Sequence, residues 1–300
     1  MSSKGITRRQ FIKSTAAVTG AAVLSSSYTI KPKPTAADLV PLGKTGLKLS
    51  RIGFGTGTLG GTIQRSLSPD EFNRLMQYAF DKGIRYIDTA ENYKTHMMVR
   101  DAIKELPREK LFILSKMPRI PDNPMETLDR YRKELGVDYL DAVLVHAVHT
   151  PNWDEERKVV LDALDEAKNK QIIRSHGVSC HSLTALRKAA KLNWVDVNLV
   201  RINPQGIKVD MLRPARGVNS DESHVPDVVE QMKVMRANGH GIIGMKIIGE
   251  GDFTNREDRE KSIRYVIQSG LVDAFTIGFK SKEEIDEAIL LTNQALSEMG

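Results

Sequence analysis

Ile84-Arg85-Tyr86-Ile87-Asp88, Phe112-Ile113-Leu114-Ser115-Lys116 and Val143-Leu144-Val145-His146 share one form, a short apolar run closed by a polar side chain. Runs of that length and apolarity read as strands buried on both faces. Similar runs occupy residues 49–56, 85–88, 111–115, 140–145, 173–178, 197–202, 241–246 and 274–277, which makes eight. Between them lie amphipathic helical patterns. One starts at Ser68-Pro69-Asp70-Glu71, where Ser caps, Pro fits the first turn and acids suit the dipole, and it ends at Gly83. Others cover 154–168, 183–191 and 282–297. Eight strands alternating with helices over some 260 residues give the rhythm of an α/β (β/α)8 TIM barrel, with a doubly wound sheet as the structural alternative. Residues 40–49, centred on Gly43-Lys44-Thr45-Gly46, read as a β-hairpin ahead of the repeats.

In a barrel of this kind chemistry gathers where strands end, so the closing residues are the candidates. Asp88, Lys116 and His146 end successive strands, and Tyr93 follows Asp88 closely enough to fold over the same mouth. As a unit they suit carbonyl chemistry. An ammonium from Lys116 stabilises the phenolate of Tyr93 and draws its proton toward usefulness, Asp88 keeps Lys116 charged, and His146 donates to a substrate oxygen.

Composition narrows the remaining classes. The 300 residues are 40% hydrophobic and 27% charged, with a formal net charge of +6. Lys4, Arg8, Arg9, Lys13, Lys31 and Lys33 account for that whole surplus, because residues 1–37 contain no acid. The body is therefore neutral and gives no reason to expect a nucleic-acid partner. Cys180 is the single cysteine, so no intrachain disulfide forms. Cys180, His176 and His181 offer no metal-ligand spacing, and no metal is expected.

Residues 1–37 read as a leader and 38–300 as the barrel. Thr7-Arg8-Arg9-Gln10-Phe11-Ile12-Lys13, followed by the small-residue apolar run 16–24, resembles a twin-arginine export signal. That resemblance implies the twin-arginine machinery as a partner and a periplasmic destination, or attachment to a membrane if the leader stays on. Thr35-Ala36-Ala37 is the candidate cleavage site. The loop 203–224 has no helical period, and Lys208, Arg213 and Arg216 make it a candidate contact for an anionic group.

Over residues 40–295 the chain resembles the aldo-keto reductase family. The likeness rests on Leu42-Gly43-Lys44-Thr45-Gly46-Leu47, on Ile52-Gly53-Phe54-Gly55-Thr56, on Ile87-Asp88-Thr89-Ala90-Glu91-Asn92-Tyr93, on Ile113-Leu114-Ser115-Lys116 and on Asp138-Tyr139-Leu140-Asp141 through His146. It implies Asp88, Tyr93, Lys116 and His146 as catalytic residues and Tyr93 as proton donor. Reversible hydride transfer between NADP(H), with NAD(H) the other option, and a small aldehyde, ketone or sugar carbonyl would follow. The implied cofactor contacts are Gly55, Thr56, Ser179, Asn203, Met245, Lys246, Gly278, Lys280 and Ser281, with Lys280 toward a 2′-phosphate. Cys180, Ile202 and Ala288 stand where that family commonly has Asn, a stacking aromatic and Asn. Two other functions compete: an exported nicotinamide-binding barrel that senses or regulates, and a metal-dependent sugar isomerase or hydrolase on the same fold.

Overall fold

The computed structural model describes residues 33–212 and 221–299. The paired arginines and apolar run of the leader, like Arg213 and Arg216, lie outside them. Hairpin strands β1 (Leu39–Pro41) and β2 (Lys48–Ser50) pair antiparallel, with Val40 opposite Leu49. The barrel strands follow: β3 (Ile52–Gly55), β4 (Tyr86–Asp88), β5 (Phe112–Met117), β6 (Ala142–Val148), β7 (His176–Cys180), β8 (Val197–Arg201), β9 (Gly241–Met245) and β10 (Ala274–Gly278). All are parallel, neighbours follow chain order, and β10 closes on β3.

The run 49–56 is thus two strands broken at Arg51, the first half belonging to the hairpin and the second to the barrel. The helix expected from Ser68 spans Pro69–Asp81. Ser68 and Glu71 close a reciprocal capping box, at 3.3 Å from Glu71 N to Ser68 Oγ and 2.9 Å from Ser68 N to Glu71 Oε2. The last helix is Lys282–Ser297 as read, whereas the pattern at 154–168 divides into Trp153–Glu156 and Lys158–Asn169.

Alternation along the strands sorts the side chains into two cores. Inside the barrel lie Tyr86, Phe112, Leu114, Leu144, Leu199 and Ile243, and the hairpin plugs the floor with Leu42, Leu47 and Leu49. Each fully buried leucine there contributes roughly 2 kcal/mol. The period of two then carries the interior face upward from Tyr86 to Asp88, from Leu114 to Lys116, from Leu144 to His146 and from Leu199 to Arg201. Polar residues therefore form the top layer of a packed interior.

The compact unit begins at Pro34. Ala36 is 1% exposed, and its N–H donates to Asn293 Oδ1 at 2.8 Å. Ala36 thus contributes to the barrel's packing, two residues ahead of the boundary read at Asp38.

Candidate functional site

Asp88 is the last residue of β4, and both its oxygens are engaged. Lys116 Nζ donates to Oδ1 at 2.7 Å and Tyr86 Oη to Oδ2 at 2.9 Å. Lys116 is fully buried; its ammonium also donates to the Thr89 carbonyl at 2.9 Å and reaches Tyr93 Oη at 3.5 Å. Burial alone would pull that ammonium's pKa down, but Asp88 and Tyr93 outweigh it and the net shift is upward.

Tyr93 ends a short 3-10 turn, Glu91–Tyr93. Glu91 anchors the turn by accepting from Tyr131 Oη at 2.6 Å and Arg130 at 2.7 Å. Gly57 gives the ring its place, since a Cβ there would stand 2.4 Å from Tyr93 Cε2. The phenol's pKa is raised. Burial is the main cause, Lys116 opposes it and Asp88 adds to it. Lys116 thus draws the phenol down, as the sequence suggested, but desolvation outweighs it and the net shift is upward.

His146 sits before a bulge in β6. Pairing with β7 runs from His146 opposite Ser179 to Val148 opposite Cys180, leaving Ala147 as the extra residue at φ +56°. The imidazole meets the Tyr93 ring edge-on, with centroids 5.6 Å apart. Burial first, then Lys116, Arg201 and Lys246, holds its pKa well below the usual histidine value, so the ring is neutral. Its Nδ1 and the Ser179 Oγ are buried and without a hydrogen-bond partner among the described residues. The structure brings the four sequence candidates together at one mouth.

A cavity of about 400 Å3 opens beside them, lined by Asp88, Tyr93, Gly55, Met245, Lys246 and Gly278 among others. Lys280 lines it as well. Thr56 instead stands inside the wall, its hydroxyl bonded to the Asp88 carbonyl at 3.0 Å and to Thr95 Oγ1 at 2.9 Å. Asn203 is spent on backbone, donating to the carbonyls of Ile207 and Lys246 and accepting from Ile207 N. Ser281 caps the last helix, accepting from Glu284 N at 3.4 Å. Ile202 is buried. Lys208 pairs with Glu250 at 3.1 Å and Asp252 at 3.5 Å, which folds the start of the long loop onto the segment after β9.

Sequence reasoning missed Glu250. Its carboxylate binds Lys246 Nζ at 2.6 Å and accepts from Leu59 N at 3.2 Å, joining the loops after β9 and β3 across the cavity. The signal was an acid between Gly249 and Gly251, a stretch whose three residues all take positive φ. Asp210 and Arg201, behind His146, were missed too. Cys180 is buried, with its thiol pushed well up by burial, and His176 stacks on Trp194 at the strand's other end. Among the described residues no three His, Cys, Asp or Glu stand close enough to hold a metal ion.

The sequence model of the aldo/keto reductase family matches residues 51–299, and that of the twin-arginine translocation signal matches residues 5–25. A probable aldo-keto reductase 1 of Glycine max is 32% identical over 174 residues, covering 49% of this chain and 50% of that one. An NAD/NADP-dependent indole-3-acetaldehyde reductase of Schizosaccharomyces pombe is 32% identical over 176 residues, 54% of this chain and 59% of that one. The chain spans about half the length of the curated relatives it matches. A solved aldo-keto reductase described as putative, from Pseudomonas aeruginosa, superposes with a TM-score of 0.69 at 24% identity, covering 87% of this chain and 97% of that one, a likeness of fold.

Proposed function

The chain belongs to the aldo/keto reductase family, and from that premise we propose that it interconverts a small aldehyde, ketone or sugar carbonyl and its alcohol with a nicotinamide dinucleotide. The observation that carries the reading is the buried Asp88–Lys116–Tyr93 chain at the cavity mouth, linked at 2.7 and 3.5 Å.

The residues fit the cofactor. Ser179 Oγ is a buried, unspent donor across the ladder from His146, suited to a carboxamide. At Gly278 a Cβ would lie 1.9 Å from Thr58 Oγ1, so the glycine lets the Thr58 side chain pack close against this part of the cavity wall. A nicotinamide dinucleotide, when bound, supplies or takes the hydride. Tyr93 keeps its proton until negative charge develops on a carbonyl oxygen beside it, then donates it; Lys116 stabilises the phenolate left behind, and Asp88 holds Lys116 protonated. His146, neutral, orients the oxygen by a hydrogen bond. In the oxidative direction the same groups take the proton back. The choice between NADP(H), the sequence expectation, and NAD(H) turns on the charges around Lys280.

We further propose export through the twin-arginine machinery to the periplasm, on the strength of the signal at residues 5–25. The 1–37 leader is then shortened: any cut falls ahead of Ala36, whose burial the barrel needs.

Purified protein is assayed for bound nicotinamide nucleotide by mass spectrometry, and wild type and Tyr93→Phe are screened against aldehydes and sugars. A bound nucleotide and a loss of about 10³-fold in kcat/KM are expected. Tyr93→Phe turnover at the wild-type rate sinks the proton-donor assignment, and nucleotide without turnover favours the sensing role.

A further inference from the structure

The cavity beside Tyr93 has a neighbour. A second cavity of about 320 Å3 adjoins it and shares Ile248, Gly251, Ile277, Lys280 and Glu284 with it. Two joined chambers of comparable size suit the two nucleoside halves of a dinucleotide. If the reacting ring is held beside Tyr93 in the first, the adenosine half falls in the second, and the charges there meet its ribose.

Those charges are balanced before any ligand arrives. Arg259 is committed: Nε and Nη2 bind Glu287 at 2.7 and 3.0 Å, and Nη1 donates to the carbonyls of Phe253 and Thr254. Lys280 is exposed, with its ammonium 3.9 Å from Glu284. Glu284 itself accepts from the Lys280 N–H at 2.9 Å, ahead of the first turn of helix Lys282–Ser297. A helix start with free N–H groups attracts anions. Here Ser281 caps one of those groups and the Glu284 carboxylate stands just ahead of the helix, on the Lys280 N–H.

A 2′-phosphate, carrying close to two negative charges, would meet Glu284 and Glu287, whose partners Lys280 and Arg259 are already engaged by them, so neither cation is left over for it. A 2′-hydroxyl in the same place donates a hydrogen bond to a carboxylate, as acidic residues do for the ribose in other dinucleotide sites. We propose that Glu284 makes this barrel select NAD(H) over NADP(H), against the expectation that Lys280 holds a 2′-phosphate. The inference rests on the nicotinamide reading above and deepens it.

The full chain, freed of any nucleotide carried through purification, is titrated with NAD+ and with NADP+ by calorimetry. NAD+ is expected to bind at least about tenfold tighter. Glu284→Gln keeps an oxygen for the Lys280 N–H, so the helix start persists, and it should narrow that gap by at least about fivefold through tighter NADP+ binding. The wild-type ratio decides the matter even if the variant folds poorly. Equal or tighter NADP+ binding by wild type overturns the inference and leaves the proposed function standing, as does a Glu284→Gln variant that shifts both nucleotides alike. Binding of neither nucleotide overturns the function reading, and the inference with it.

Discussion

Asp141 and Asp210 are equally buried, at 1% exposure each, on opposite rims of the barrel, and they are treated in opposite ways. Asp141, just before β6, accepts from Arg108 at 2.8 Å, Arg174 at 3.0 Å and the Ile113 N–H at 2.9 Å. The floor repeats that device. Asp196, before β8, accepts from the His176 N–H and from Lys168; Asp273, before β10, accepts from the Ile242 N–H and from Arg236. Each carboxylate pins its strand to the first turn of the ladder beside it. Asp210, in the loop after β8, has neither oxygen hydrogen-bonded among the described residues, and Arg201 stands off at 3.6 Å. Backbone strain divides the same way: among the described residues seven non-glycines take positive φ, and of these only Gln171 lies toward the floor. Three bonded carboxylates at the floor, against an unbonded Asp210 and most of the strained backbone at the other rim, fit a fold held at one end and doing chemistry at the other.

The largest test breaks the floor. Asp141→Ala leaves the buried Ile113 N–H and Arg108 without their shared acceptor and should cost about 3 kcal/mol in denaturant unfolding. Turnover per folded molecule should stay near wild type. A loss of turnover larger than the loss of folded protein would mean that the two rims are not separable in this way.

At the upper rim the carboxylate's condition shows in pH dependence. Burial pushes Asp210 up to about 7, with Arg201 pulling the other way. Between the ordinary aspartate value and about 7, the folded protein holds a proton that the unfolded chain releases, so stability falls as pH rises through that window. Asp210→Asn carries no such proton. The variant should gain roughly 2 kcal/mol on wild type between about pH 5 and about pH 8. Parallel urea curves at both pH values would show that Asp210 is already paired.

Much of this division was open to reading. The floor carries its own signature in Leu140-Asp141-Ala142, Val195-Asp196-Val197 and Val272-Asp273-Ala274, an acid set one residue ahead of an apolar strand. The upper layer was legible for a related reason: a strand buried on both faces makes a terminal Asp88, Lys116 or His146 conspicuous. What escaped was whatever depends on three-dimensional competition. Sequence makes Lys116 and Tyr93 neighbours and gives the direction of the ammonium's pull, but it cannot weigh that pull against burial, which carries the net shift upward. Glu284 lies on a segment crowded with charges and Glu250 in a glycine-flanked turn, and only the fold shows that both face a cavity. Asn203 had the right type and place, yet its amide is consumed by the loop it starts.

The smallest test concerns Ala147. At φ +56° it occupies the left-handed region that glycine adopts freely, at a cost of about 1 kcal/mol for a residue with a Cβ. Ala147→Gly relieves that strain but makes the unfolded chain more flexible, so the net gain should be only about 0.5 kcal/mol. The informative quantity is activity. Ala147 is the residue that shifts β6 against β7 immediately after His146, and its Cβ restricts the backbone that sets the imidazole edge-on to Tyr93. If that strain serves orientation, the more stable glycine variant should turn over a few-fold more slowly, with the loss in kcat rather than KM. A variant both more stable and fully active would show that the bulge is tolerated strain with no part in placing His146.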